Sequence, residues 1–371
     1  MALRRLHSAS PARRLPRFPW DRMVPYQERA AAHPGGLVDL TVGAPVDEVP
    51  PSIQQALVEA AARPGYPTVA GPVELREAMR SWLHRHTGVA ADVAVLPTVG
   101  SKELVANLPF QLGIGPGETV AYPEIAYPTY EIGAILAKAE ALPVADPRDA
   151  AGSRLRLAWI NYPTNPTGEV ASVEHLRDLV RWARDSGVVL ASDECYLTLG
   201  WDEEHPPISV LDPRVNDGDL TGLIAAQSLS KRSNLAGYRS AFLAGDPAII
   251  ADLLEIRRHG GFMVPWAVQM ATIAALHDES HAIEQRSRYE RRREVLRAAV
   301  EAAGFRIDHS TAGLYLWATR DEDCWTTVEW LAERGIVAAA GEFYGAKGNR
   351  HVRLSLTATD EAIADAAQRL G

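Results

Sequence analysis

Residues 173–193 read VEHLRDLVRWARDSGVVLASD, and this stretch decides the fold. Val173, Leu176, Leu179, Val180 and Ala183 recur at helical spacing, which predicts an amphipathic helix over 173–186. Val188–Ser192 follows as an unbroken apolar run. A strand with no polar alternation is buried on both faces, as in parallel sheets covered by helices. The same pattern extends outward. Leu155–Asn161 is short and apolar and ends in a Pro-rich loop, and Leu220–Gln227 and Arg239–Ala244 are further apolar strands. Upstream, Val93–Leu96 precedes a Gly-Ser-Lys turn and a helical stretch. Glu118–Tyr122 follows a Gly-Pro-Gly turn, and residues 129–139 read as a helix. Strands alternating with helices place the chain in the α/β class.

Beyond this run the pattern changes. Residues 267–303 contain no proline and predict a long helix with a break near His277–Ser280. Its charged run, EQRSRYERRREVLR, is most simply a solvated face. Strands at Gly313–Ala318 and His351–Leu356, with helices over 325–334 and 360–370, predict a smaller α+β unit. No internal repeat or low-complexity tract is present.

Composition narrows the function. The 371 residues carry 38 basic and 47 acidic side chains, a net charge of -9, which argues against a nucleic-acid protein. No apolar run approaches membrane-span length, so no membrane partner is expected. Two cysteines, Cys195 and Cys324, build no disulfide framework, and the cytoplasm is the expected compartment. Residues 1–20 contain Arg, Ser and Pro without an acid, as transit peptides do, but a plain N-terminal arm is the favoured reading. Only four lysines occur, Lys102, Lys138, Lys231 and Lys347. Any lysine chemistry is confined to them, and no metal site is expected.

Ligands of α/β sheets bind beyond the C-terminal strand ends. The residues there are Gly100-Ser101-Lys102, Tyr127, Asn165, Asp193 with Tyr196, and Ser228 through Lys231. Lys231 can form a Schiff base if burial or charge lowers its pKa. Ser228, Ser230 and Arg239 beside it can bind a dianion, and phosphate with a Schiff-base lysine is what pyridoxal phosphate requires. A surface-loop lysine is the plain alternative. Asp193 closes a buried strand, where an acid is costly without a cation. The protonated ring nitrogen of that cofactor offers one, and an Arg salt bridge is the alternative. Tyr196 and an amide in the loop Asn161–Gly168 can donate to the cofactor's phenolic oxygen, although a packed tyrosine and an ordinary Asn-Pro turn fit as well. Gly100-Ser101-Lys102 opens a helix, a ready anion site or simply a cap.

Asn-Pro-Thr-Gly at 165–168, Asp-Glu-Cys-Tyr at 193–196, Ser-Leu-Ser-Lys at 228–231 and Arg239 resemble, in order and spacing, the class I/II aminotransferases of fold type I. The likeness runs from about residue 37 to 357. More narrowly, Leu-Pro-Arg-Phe-Pro-Trp-Asp at 15–21 and Ser-Lys-Arg-Ser-Asn-Leu-Ala-Gly-Tyr-Arg at 230–239 resemble actinobacterial N-succinyldiaminopimelate aminotransferases. The resemblance implies a mostly parallel sheet in a large pyridoxal-phosphate domain over 46–266. It also implies an N-terminal arm over 1–45 that joins a small domain over 267–371, with the substrate in the cleft between. Lys231 would carry the cofactor and shuttle the proton, Asp193 would pair with the ring nitrogen, and Tyr196 and Asn165 would bond the phenolic oxygen. Tyr127 would stack on the ring. Gly100, Ser101, Lys102, Ser228, Ser230 and Arg239 would surround the phosphate. Tyr66 would reach the phosphate of a neighbouring subunit, which implies a homodimer. Arg353 would grip the substrate carboxylate beside Gly43 and Asn165, and Arg232 is a candidate for a distal acidic group, though an ion pair is the favoured reading there. The implied reaction is ping-pong transfer of an amino group between glutamate and N-succinyl-2-amino-6-ketopimelate in lysine and diaminopimelate synthesis. Acetylornithine, aspartate or aromatic transamination, a C–S lyase and a non-enzymatic binding module are the alternatives.

Overall fold

The computed structural model describes residues 11–17, 19–150 and 154–371. The expectation for residues 1–20 falls partly on residues 1–10 and Phe18, which lie outside the described residues. Strand β1 (Val38–Asp39) comes first. Then β2 (Ala94–Val99), β3 (Thr119–Pro123), β4 (Glu140–Val144), β5 (Leu155–Asn161), β6 (Val189–Asp193), β7 (Leu223–Ser228) and β8 (Ser240–Gly245) form one sheet. Its order is β2-β8-β7-β6-β5-β3-β4. Every pairing is parallel except those of β8, which runs antiparallel to both β2 and β7. The apolar run at 239–244 looked like its parallel neighbours because burial on both faces erases the alternation that distinguishes the two pairings.

The helix over Val173–Ser186 has the bounds its spacing predicts. Ser172 caps it by accepting from the His175 amide, and Gly187 ends it at a φ of 65° that a side chain would disfavour. Its Leu176, Leu179, Val180 and Ala183 pack on one sheet face with Ala158, Ile160 and Leu190. The other face buries Leu157 and Trp159 with Leu104, Val105, Leu108 and Tyr130. Leu179→Ala is expected to destabilise the protein by about 2–5 kcal/mol, because a fully buried methyl cluster leaves a cavity. Chemical denaturation of the variant measures it, and an unchanged midpoint would contradict this packing.

The C-terminal part carries a second core. Strands β9 (Arg306–Ile307), β10 (Tyr315–Thr319), β11 (Ile336–Val337), β12 (Ala339–Ala340) and β13 (Val352–Ser355) follow in the chain. An antiparallel sheet has the order β12-β13-β10-β9, while β1 pairs in parallel with β11, so the N-terminal segment joins this unit. The long helical stretch is two helices, Trp266–His277 and Ser280–Ala302, split as expected. Its charges are not only a solvated face. Arg292 is buried between Asp47 and Asp360, Arg286 donates to the Gly200 carbonyl and Arg293 to the Ser310 carbonyl. These arginines tie the helix to both ends of the chain. Among the described residues no helix is long and apolar enough to cross a membrane.

Candidate active site

The antiparallel insertion of β8 sets the geometry. Val99 pairs with Ser240 and Ser228 with Ala241, so the C-terminal ends of β2 and β7 meet the start of β8. Gly100, Ser101, Ser228, Ser230 and Arg239 are thereby gathered at one sheet edge. Ser101 opens the helix Ser101–Gln111, whose free amides favour an anion. Gly100 has a φ of 79°, and a Cβ there would lie 2.2 Å from Arg239 Nη2. Arg239 itself has a φ of 59° and donates to the Ala236 carbonyl. Lys102 stands exposed on the first helical turn. Gly100→Ala should displace the Arg239 guanidinium and, if this edge holds the phosphate as the resemblance implies, raise the dissociation constant for pyridoxal phosphate by about tenfold or more, the value of a charge-assisted hydrogen bond. Titration of apoprotein followed by its visible absorption measures this, and an unchanged constant would contradict the packing.

Asp193 ends β6 and is 6% exposed. Its Oδ2 accepts from the Tyr130 hydroxyl at 2.9 Å and its Oδ1 from the Cys195 amide at 3.2 Å. No basic side chain among the described residues pairs with it, and burial pushes its pKa up. Asn161 on β5 donates to the Asp193 carbonyl at 2.8 Å and accepts from the Asn165 amide at 2.8 Å, which holds the Pro-rich loop against the site. Tyr127 lies edge-on to Tyr130, and burial pushes its phenol up to about 12.

Lys231 sits on the short helix Leu229–Arg232, capped by Ser228, which accepts from the Ser230 amide. Its Nζ donates to the carbonyl of Gly43. Burial lowers its pKa, aided by the charges of Arg353 and Arg239. Arg353 on β13 is 4% exposed. Its Nη1 donates to Asn165 Oδ1 at 2.9 Å and its Nη2 to the Thr41 carbonyl at 2.6 Å. The guanidinium lies 3.9 Å from the centre of the Tyr315 ring and 4.9 Å from that of Tyr344. Its buried Nε has no hydrogen-bond partner among the described residues. Tyr196 and Tyr315 share a hydrogen bond of 3.0 Å. Burial would raise the Tyr315 phenol, yet Arg353, Lys231 and Tyr196 together hold its pKa below the ordinary value. Gly43 must be glycine, because a Cβ would lie 2.0 Å from the Tyr315 hydroxyl.

The structure thus brings Lys231, Asp193, Tyr196, Tyr127, Asn165, Arg353 and Gly43 into one cluster of interacting side chains and backbone beside the Gly100–Arg239 edge. Two expected residues stand apart. Tyr66 is 91% exposed and touches almost nothing of its own chain. Arg232 is held in a buried ion pair, with Nη2 2.7 Å from Glu279 and Nη1 donating to the Ala275 carbonyl, which is the reading favoured for it from the sequence. Three neighbours were missed from the sequence, Tyr130, Tyr315 and Glu194, while Asn161 lies in the loop whose amides the sequence pointed to. Glu194 is buried beside Asp193 and accepts from Ser209, the Val210 amide and Gln227, with burial pushing its pKa up to about 7. Tyr130 lies three residues after Tyr127, in the first turn of the helix Thr129–Ala137, and that closeness was its available signal.

Residues 36–370 match the family model for aminotransferase class I and II. The chain is 53% identical to the 4-dedimethylamino-4-oxo-anhydrotetracycline transaminase of Streptomyces rimosus, over 96% of this chain and 99% of that one. It is 52% identical to a Mycobacterium tuberculosis protein named as a probable aminotransferase, over 98% and 88% of the two chains. A Thermus thermophilus structure named as a probable N-succinyldiaminopimelate aminotransferase superposes with a TM-score of 0.85 at 25% identity, covering 95% of this chain and 99% of that one. The chain belongs to the class I and II aminotransferases. It is an α/β enzyme of fold type I that uses pyridoxal phosphate and acts on amino-acid and keto-acid substrates.

The residues fit this cofactor. A buried acid without a cation suits a protonated ring nitrogen, a helix N-terminus with serines and an arginine suits a phosphate, and a half-buried lysine of lowered pKa suits a Schiff base.

Proposed function

We propose that the enzyme moves an amino group between glutamate and N-succinyl-2-amino-6-ketopimelate, in the cytoplasm and as a homodimer. The observation that carries the chemistry is that Lys231 feels the charges of Arg353 and Arg239 and lies near Cys195, whose amide donates to Asp193. In this reading residues 46–266 hold the cofactor and residues 1–45 and 267–371 form the smaller domain. When bound, pyridoxal phosphate supplies a carbonyl carbon for the lysine and an electron-poor ring that accepts the pair left by the substrate Cα–H bond. Asp193 holds the proton on the ring nitrogen. Tyr196 and Asn165 would hold the phenolic oxygen, and Tyr127 would stack on the ring. Gly100, Ser101, Lys102, Ser228, Ser230 and Arg239 bind the phosphate. Lys231 Nζ, whose pKa burial lowers, would take the proton from the substrate Cα as base and, as acid, deliver it to the cofactor carbon that had been the carbonyl carbon.

Arg353 binds the substrate α-carboxylate. Its two terminal nitrogens are fixed by Asn165 and Thr41, and its ring contacts with Tyr315 and Tyr344 keep the plane set for a forked interaction. Arg353→Lys should raise KM for donor and acceptor alike by about 10- to 100-fold, as expected for the loss of a charged hydrogen bond. Steady-state kinetics with each substrate varied tests this, and an unchanged KM would remove Arg353 from the site. The exposure of Tyr66 supports a role across a subunit boundary.

The substrate reading is supported by the likeness to the Thermus protein. The Streptomyces relative supports a second one, amination of a polycyclic ketone, since that protein is named as an anhydrotetracycline transaminase. A coupled assay on purified enzyme separates them. Glutamate is offered with N-succinyl-2-amino-6-ketopimelate, with acetylornithine-type and aromatic keto acids and with a polycyclic ketone. Fastest turnover on the succinylated acid supports the first reading, and turnover on the ketone alone overturns it in favour of the second.

A further inference from the structure

The lysine turn is tied to a distant part of the molecule by side chains outside the pocket. Tyr289 lies on the helix Ser280–Ala302 and is fully buried. Its hydroxyl donates to the main-chain carbonyl of Lys231 at 3.2 Å and lies 3.4 Å from Asn234 Oδ1. Burial raises the phenol's pKa, so the group remains a donor. Asn234 holds a φ of 57°, a conformation most side chains avoid. From there its Nδ2 donates to the Glu48 carbonyl at 3.2 Å and to Gln285 Oε1 at 3.0 Å. Gln285 Nε2 donates in turn to Asp47 Oδ2 at 2.7 Å. Asp47 is gripped by both terminal nitrogens of Arg292, at 2.7 and 2.8 Å, and Arg292 Nε reaches Asp360 at 2.5 Å. Segments near residues 47, 234, 289 and 360 therefore meet in one joint, which borders a cleft of about 740 Å³.

We infer that Tyr289 is a positioning residue for Lys231, tied through Asn234 and Gln285 to the Asp47–Arg292 ion pair. The inference rests on the proposed role of Lys231. A hydrogen bond to the lysine's own carbonyl fixes the pitch of the turn and so the direction in which the side chain leaves it. The Nζ must alternate between holding the cofactor and moving a proton, and both need a fixed origin. The ion-paired end of the joint anchors that origin to the N-terminal segment and the C-terminal helix.

Tyr289→Phe removes the hydroxyl and keeps the ring. Asn234→Gly removes the amide and accepts the positive φ, which keeps the inference testable if the first variant folds poorly. Borohydride reduction of wild-type holoenzyme, followed by peptide mapping, first identifies the lysine that bears the cofactor. In the full-length apoprotein, trace acylation with acetic anhydride then compares Lys231 with the exposed Lys347. Loosening the turn frees the Nζ from the Gly43 carbonyl, so Lys231 should acylate about three- to tenfold faster in either variant, the value of one hydrogen bond. In the holoenzyme kcat should fall by a similar factor, with KM for glutamate unchanged. A lowered melting temperature with an unchanged acylation ratio overturns the inference. Cofactor fixed to a lysine other than Lys231 overturns the functional reading itself, and the inference with it.

Discussion

Lys231→Ala is expected to lower kcat for transamination by about 10⁴-fold or more, since in the proposed mechanism one side chain supplies both the covalent anchor and the general base. Lys102, Lys138 and Lys347 are the only other lysines, and none shares its surroundings. Lys102 and Lys347 are exposed, whereas Lys231 lies between the Gly43 carbonyl and the charges of Arg353 and Arg239. The helix turn that carries it is capped by Ser228 and does not need the amine. The variant should therefore fold, with circular dichroism unchanged. Single-turnover kinetics with glutamate measures the effect, and near-normal turnover would remove Lys231 from the reaction.

Asp193→Asn should lower kcat by about 10²- to 10³-fold, the value of one partner in a buried charge pair. Asparagine keeps the shape of the side chain and can still meet the Tyr130 hydroxyl and the Cys195 amide. It cannot hold a proton on the ring nitrogen. The cofactor should remain bound, because the phosphate groups are untouched, so loss of rate with retained cofactor is the expected pattern. Absorption spectra and half-reaction rates distinguish this from simple release. A rate within about twofold of wild type would assign the buried acid a purely structural role.

Much of the large sheet could be read because its central strands are continuous apolar runs. Leu155–Asn161 and the helix Val173–Ser186 match their sequence patterns at both ends. Strand β4 was invisible for a physical reason. It lies at the sheet edge, is half exposed and contains Pro143, which an edge tolerates. The direction of β8 was equally hidden, since burial on both faces gives parallel and antiparallel strands the same composition. In the site, residues at strand ends were found because the sheet rule points to them. Tyr130 and Tyr315 were missed because each looks like a core aromatic until its hydroxyl is seen against Asp193 or Tyr196. The Asp47–Arg292 pair joins residues far apart in sequence, and nothing local announces it.

The reversed strand β8 also links folding to cofactor occupancy. Arg239 precedes it, Gly100 follows β2 and Ser228 ends β7, so the edge proposed to bind the phosphate exists only after a late segment of chain has slotted between two earlier ones. Contacts of such long range form slowly, and their closure carries a large entropic cost. A ligand that binds only the completed edge stabilises the folded state by mass action, by about 2.7 kcal/mol when its free concentration is a hundred times its dissociation constant. Vitamin B6 supply would then govern how long each molecule survives as well as how fast it turns over.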